Sequence, residues 1–246
     1  KYIDVQVNAS VGDRAELQKE FDAYDKELSA AADPSEIVRK STSLISYLGV
    51  PVSKDAYPYD IAQQLDSMAV GSTSKVIENK RDNTLNIIKL VSKQQLPDSV
   101  QYRQIQVGGA TAQEAATRAD SIYKALSAGA DFEVLAKKYG QTGEKTWLTT
   151  RQYQSAPSLD KDTKGYLYSL NTMSVNEVKN IALTQGNLIV QVLDRRAMIN
   201  KYVAAVVKKN ITFSRDTYSA AYNKFSAFIS ANPTAEAIVK NAQKAG

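Results

Sequence analysis

The 246-residue chain has no histidine and no cysteine. That removes the usual general base, the commonest transition-metal ligand, thiolate nucleophiles and disulfides. A serine nucleophile needs a base. A Ser–Lys pair is the one form left open, and no spacing points to it. Gly108-Gly109 is not followed by a phosphate-loop or dinucleotide pattern. The carboxylates fall mostly at helix caps and on helix surfaces, so paired-carboxylate chemistry has no support. No metal site and no cofactor is expected. What remains is recognition chemistry. Fourteen tyrosines stand against five phenylalanines and one tryptophan, Trp147. Tyrosine gives amphipathic contact area at low entropic cost, which suits loose binding of polypeptide, and it equally covers small cores.

Charge adds one constraint. The net charge is +5, and residues 201–246 supply all of it, with seven Lys/Arg against Asp216 and Glu236. A solvated helix surface explains this better than nucleic acid, and no nucleic-acid partner is expected. No apolar run is long enough to span a membrane. The chain starts inside a strand-like motif, without an initiating Met, and reads as a piece of a longer protein.

The elements that would position these groups recur. Lys1-Tyr-Ile-Asp-Val-Gln-Val7, Gln101-Tyr-Arg-Gln-Ile-Gln-Val107 and Lys201-Tyr-Val-Ala-Ala-Val-Val207 place tyrosines at 2, 102 and 202. Each alternates as a strand with one buried face does. Each precedes a helical stripe at 0, 4, 7 and 11: Leu17, Phe21, Tyr24, Leu28; Ala115, Ala119, Ile122, Leu126; Tyr218, Tyr222, Phe225, Ile229. Asp13 to Glu16 and Thr111 to Glu114 read as capping boxes. Pro34 opens a second helix running to about Leu48. Hairpins are expected around Asp82-Asn83 and Gln185-Gly186, with a linker at Gln94 to Ser99. A period near 100 residues predicts tandem small domains: 1–96, 97–198, and an incomplete, mainly helical third copy at 199–246. The fold class is α+β, with small antiparallel sheets covered by helices.

In the second copy a family resemblance appears. Gly129-Ala-Asp-Phe-Glu-Val-Leu-Ala-Lys-Lys-Tyr139, the strand Arg103-Gln-Ile-Gln-Val107 and the closing strand Gly186-Asn-Leu-Ile-Val-Gln-Val192 resemble a parvulin-type (PpiC, rotamase) peptidyl-prolyl isomerase domain. The first copy matches by pattern alone, as a degenerate parvulin-like domain. The resemblance implies a site with two histidines crossing the sheet floor, a nearby Cys or Asp, and an apolar proline pocket. Here Gln104 and Leu188 stand at the histidine positions, Gln141 or Thr142 near the Cys/Asp position, and Tyr168 at a Phe position. In copy one the matching positions are Asp4, Asn86 and Gln63. No catalytic residue is therefore expected in this chain. The peptide-binding set is Gln104, Trp147, Leu148, Tyr153, Tyr168, Leu170 and Leu188. By resemblance to tandem cell-envelope folding factors, the parent would lie in the periplasm or cell envelope and bind unfolded or proline-containing client polypeptide. It would meet a membrane only through parts not in this chain, and self-association is compatible with the pattern. Two alternatives stay open: an active isomerase with a non-histidine site in 97–198, or a purely architectural module.

Overall fold

The protein is described by a computed structural model, in which residues 3–245 are placed. Two long strands form its spine. β3 (Thr84–Val107) and β6 (Asn187–Asn210) pair antiparallel along their whole length, from Thr84↔Asn210 to Val107↔Asn187. Short strands widen the two ends. At one end β2 (Ile77–Asn79) flanks β3 and β1 (Val52–Ser53) flanks β6; at the other, β4 (Thr146–Thr149) flanks β3 and β5 (Val178–Ala182) flanks β6.

Alternation along the spine sends side chains to both faces, and helices cover both faces at each end. In the first lobe, Leu85, Ile87, Ala205 and Val207 pack on Phe21 and Leu28 of α1 (Val11–Ala30) and Val38 of α2 (Ser35–Lys40). On the reverse face, Ile88, Leu90, Tyr202, Ala204 and Val206 meet Ile61 and Leu65 of α3 (Tyr59–Leu65). In the second lobe, Ile105, Val107 and Ile189 pack under α4 (Ala112–Ser127) and α5 (Phe132–Lys138). Val100, Leu188, Val190 and Val192 pack under Leu170 of α6 (Lys161–Thr172). After β6 the chain ends in α7 (Arg215–Ala231) and α8 (Ala235–Ala245).

The repeat predicts two small sheets and a partial, mainly helical third copy, and the described residues hold one six-stranded sheet. Lys201–Val207 does not open a new unit, because it continues β6. Residues 94–99 are not a linker, because β3 runs through them and pairs with β6. Pro97 is tolerated there because between β2 and β4 the strand has a neighbour on one side only, so its missing donor has an open edge to face. The expected boundaries at 96/97 and 198/199 thus fall inside continuous strands. Residues 3–7 belong to no helix or strand, and Tyr2 lies outside the described residues. Tyr202 is fully buried under α3, whereas Tyr102 is half-buried in the second lobe.

Local signals fared better. The stripes of α1 and α4 are the buried faces, and both hairpins form, with Asn83 and Gly186 at positive φ in their turns. The cap of α1 is Ser10 rather than Asp13. Ser10 Oγ accepts from the Asp13 amide while Asp13 accepts from the Ser10 amide. α2 stops at Lys40, well before Leu48. Ser43 Oγ then donates to the Val206 carbonyl and Leu44 N–H donates to the Lys208 carbonyl. The segment is captured by the open edge of β6 in place of continuing a helix.

Candidate functional site

The second lobe presents one sheet face to α6, and the parvulin-like positions lie on it. Gln104 pairs with Val190 and Gln106 with Leu188, so Gln104 and Leu188 are diagonal neighbours across two paired strands. Leu188 is buried in the apolar cluster, while Gln104 is exposed.

Between them stands Tyr166 of α6. Its hydroxyl donates to Gln104 Oε1 at 3.4 Å, a weak bond, and its ring meets Tyr102 edge-on at 5.9 Å and 73°. Burial pushes the Tyr166 hydroxyl well above the usual phenolic pKa, and the neighbouring Tyr102 hydroxyl adds to the shift. The phenol stays neutral at any physiological pH. It serves as a hydrogen-bonding group and not as a base.

The loop after α5 is held by an amide clamp. Gln141 Nε2 donates to the Gln106 carbonyl at 2.7 Å, and the Gln106 amide donates to Gln141 Oε1 at 2.8 Å. Gln141 therefore extends the sheet's hydrogen bonding by one side chain. Thr142 accepts a long bond from the Glu144 amide, 3.4 Å.

The other expected binding residues divide into a rim and a buried set. On the rim, Trp147 sits on edge strand β4 opposite Gln101, with the Arg196 guanidinium 4.3 Å from its ring centroid. Leu148 is half-buried and Tyr168 is 49% exposed. Leu170, in contrast, is in the core. Tyr153 is buried at the junction of the lobes, where its hydroxyl donates to the Pro51 carbonyl at 2.8 Å and accepts from Asn171 Nδ2 and Lys201 Nζ, each at 3.2 Å. Lys201 Nζ also donates to Asn171 Oδ1 at 2.6 Å. Val50, Val52 and Leu167 seal this contact. Beside it a cleft of about 320 Å³ opens, bordered by Tyr47, Tyr57, Pro58 and Pro157.

The matching positions of the first copy are not assembled. Asn86 is fully buried in β3, with Nδ2 3.5 Å from Asp60 and Oδ1 without a partner among the described residues. Its neighbour Lys208 pairs with the partly exposed Asp60 at 2.8 Å and the exposed Asp82 at 2.7 Å, an ionic cluster that reaches from the core to the surface. Asp4 lies in the unpaired segment 3–7 beside Lys224 of α7. Gln63 is exposed on α3. The reason is topological: residues 3–7 do not pair with β3, so no second crossed pair of strands forms.

Two groups escaped the sequence reading. Tyr102 served only as a repeat marker, and Tyr166 was not singled out. Tyr166 precedes Leu170 by four residues on one helix face, a spacing that places both over the same sheet. Residues 85–196 match the family described as PPIC-type PPIASE domain.

That segment is similar to a PPIC-type PPIase domain.

The PPIC-type domain takes in all of β3 but its first residue and the opening half of β6, so it begins within the first lobe's sheet and contains the Gln104–Tyr166–Leu188 face. Among solved structures, the chain is similar to PrsA from Bacillus subtilis, at 16% identity and a TM-score of 0.30, over 60% of this chain and 48% of that one. The chain spans about half the length of that structure. No curated protein matches the sequence.

Proposed function

We propose that this chain is the polypeptide-holding part of a cell-envelope folding factor, and that its PPIC-type domain binds unfolded or proline-containing chains with little isomerase turnover. The observation that carries the reading is the composition of the face where α6 meets the sheet: Gln104, Tyr102 and Leu188 from the strands and Tyr166 from the helix, in a chain without histidine. Rotation about a peptide bond meets a barrier of about 18–20 kcal/mol. Lowering it requires polar groups that favour the twisted amide over the planar one. Leu188 has none to offer, and Tyr166 already leans on Gln104. Gln104, Trp147, Leu148 and Tyr168 form a rim with apolar area and hydrogen-bonding ends, which suits weak contact with many sequences. Weak contacts gain from linkage, because a tethered second contact binds at high effective concentration.

Localisation in the envelope rests on the resemblance. Among the described residues no helix is long and apolar enough to cross a membrane. A second reading, an isomerase using Gln104 and Tyr166, is favoured by their contact. A protease-coupled prolyl-peptide assay on the whole chain separates the two. Background turnover, unchanged in Gln104→Ala and Tyr166→Phe, is expected. Turnover that either substitution abolishes would overturn the proposal.

A further inference from the structure

The two lobes are joined through a stretch of sheet only two strands wide. On β3, residues 91–98 lie between the positions that pair with β2 and those that pair with β4. On β6, residues 192–200 lie between the positions that pair with β5 and those that pair with β1. A break in register marks each end of this ribbon, between Leu90 and Ser92 and between Gln101 and Tyr102. Inside it, Pro97 lacks a backbone donor. Ala197 has φ +53°, a left-handed conformation that a residue with a Cβ holds only under constraint. A two-stranded ribbon with two bulges and a strained residue bends more readily than the wider sheet at either end.

Beside the ribbon the lobes touch at a small polar knot. The Pro51 carbonyl of the first lobe accepts from Tyr153 Oη at 2.8 Å, and Ser53 Oγ lies 2.5 Å from Gln154 Oε1. Lys201 Nζ, at the first-lobe end of the ribbon, ties Tyr153 to Asn171 of α6. The knot is incompletely satisfied. An ammonium has three N–H groups, and two acceptors face it, Tyr153 Oη and Asn171 Oδ1. Arg195 Nη2 donates to the Asn171 carbonyl at 3.1 Å, but the buried Arg195 Nε has no partner among the described residues. Buried donors without partners cost free energy that hydration relieves. The joint is not filled either. The cleft of about 320 Å³ and a second cavity of about 420 Å³ share Ile45, Ser46 and Tyr47 of the first lobe and Pro157 of the second.

We propose that the lobes swing apart about the 91–98/192–200 ribbon, and that the Pro51–Tyr153–Asn171–Lys201 knot is the latch that holds them closed. Opening hydrates Lys201 and Arg195 and widens the cleft between Tyr47 and Pro157. The latch responds to pH. A neutral amine brings two N–H groups to two acceptors and fits the closed joint, whereas the ammonium leaves one over. The charged and titratable groups around Lys201 are Tyr153, Asp98 of β3 and Arg195 of β6; Pro51 and Asn171 contribute none. Burial lowers the latched amine to about 8, with Asp98 opposing and Arg195 adding. Tyr153 is raised by burial and stays a neutral phenol across this range. Once released to water, the amine returns to its ordinary 10.5. The closed form therefore binds fewer protons, and the closed-to-open ratio rises about tenfold from pH 7 to pH 9. The inference does not depend on polypeptide binding, and its failure leaves the proposed function standing.

The chain has no cysteine, so nitroxides on Gln63→Cys and Lys161→Cys label exposed sites of α3 and α6 selectively in the whole chain. Pulsed electron spin resonance then reads the distance between the lobes. We expect two distance populations, the longer falling about tenfold relative to the shorter from pH 7 to pH 9. Tyr153→Phe should enlarge the longer population at both pH values, and Lys201→Met should abolish the pH response. Gln154→Ala, a milder loss at the same joint, should enlarge the longer population about twofold, which decides the matter if Tyr153→Phe does not fold. Amide protection in α1 and α4 should stay unchanged throughout. A single distance that neither pH nor Gln154→Ala moves would overturn the latch. So would a longer population that appears only with lost protection in α1 and α4, since that is unfolding. A pH response retained in Lys201→Met would overturn the role of Lys201.

Discussion

Lys201 is 1% exposed at the junction of the lobes and has no carboxylate bonded to it; its partners are the Tyr153 hydroxyl and Asn171 Oδ1. Burial lowers its pKa from 10.5 to about 8; Asp98 opposes the shift and Arg195 reinforces it. A cation held below its ordinary pKa costs stability wherever it stays protonated. Below pH 8 both states carry the proton and the cost is complete. As pH rises from 8 toward 10.5 the folded state releases its proton first, the unfolded chain binds more protons, and stability increases. The shift is worth about 3 kcal/mol in total, of which about 1 falls between pH 8 and 9. From about pH 9 upward the buried tyrosines act with the opposite sign. Tyr47, Tyr57, Tyr153, Tyr166 and Tyr202 are all raised above their ordinary 10, chiefly by burial, so the unfolded chain loses its phenolic protons first and the gain is offset toward pH 10. Urea titrations at pH 7, 8 and 9 measure the lysine before that offset. With a slope near 3 kcal/mol per molar, the midpoint should climb by roughly 0.3 M between pH 8 and 9. In Lys201→Met the climb should vanish, whatever the variant's absolute stability at pH 7. A wild type that is flat across this window, or a Met variant that climbs equally, would refute the reasoning.

Other perturbations have equally definite outcomes. Lys89 Nζ donates to the Leu28 and Ala31 carbonyls at the C-terminal end of α1, at 2.5 and 2.6 Å. Lys89→Met should cost about 1–3 kcal/mol in chemical denaturation and increase amide exchange in the last turn of α1. Gly186, at φ +94°, would place a Cβ 2.5 Å from the Val107 carbonyl oxygen. Gly186→Ala should therefore lose more than about 1 kcal/mol, read by the same titration. Phe132 is buried between α5 and the sheet; Phe132→Ala should cost about 3–5 kcal/mol by thermal or chemical melting. Burial works against ionisation of Asp60, but its bonds from Lys208 and Asn79 outweigh that and hold it below the usual 3.8; Asp82 is lowered too, first by Lys208. This stability is present above about pH 4 and is lost as pH falls through the lowered values. A Lys208→Met variant should show a shallower acid transition by circular dichroism.

The local order of elements was legible because its causes are local. The stripe Phe21–Leu28 and the Thr111 cap act within a few residues, and so does the turn at Gln185-Gly186. The motif Gly129 to Tyr139 likewise pointed to the segment that the family match covers. The candidate face was half visible: Gln104 and Leu188 were placed on it, whereas Tyr153 and Leu170 turned out to be interior. A tyrosine's sequence does not say whether its ring covers its own lobe or a neighbour; Tyr153 is fixed by the Pro51 carbonyl, 102 residues away.

By itself the sequence determined the absence of imidazole and thiol chemistry, the helical stripes and the turns, since these depend on residue type and short-range geometry. Only tertiary structure decided that the segments marked by Tyr102 and Tyr202 share one sheet. Strand pairing joins Leu85 to Lys209 and Leu96 to Ile199 through backbone groups that every residue carries. Such pairing leaves no mark in residue type, so a repeat that reads as separate domains folds as two lobes on one ladder.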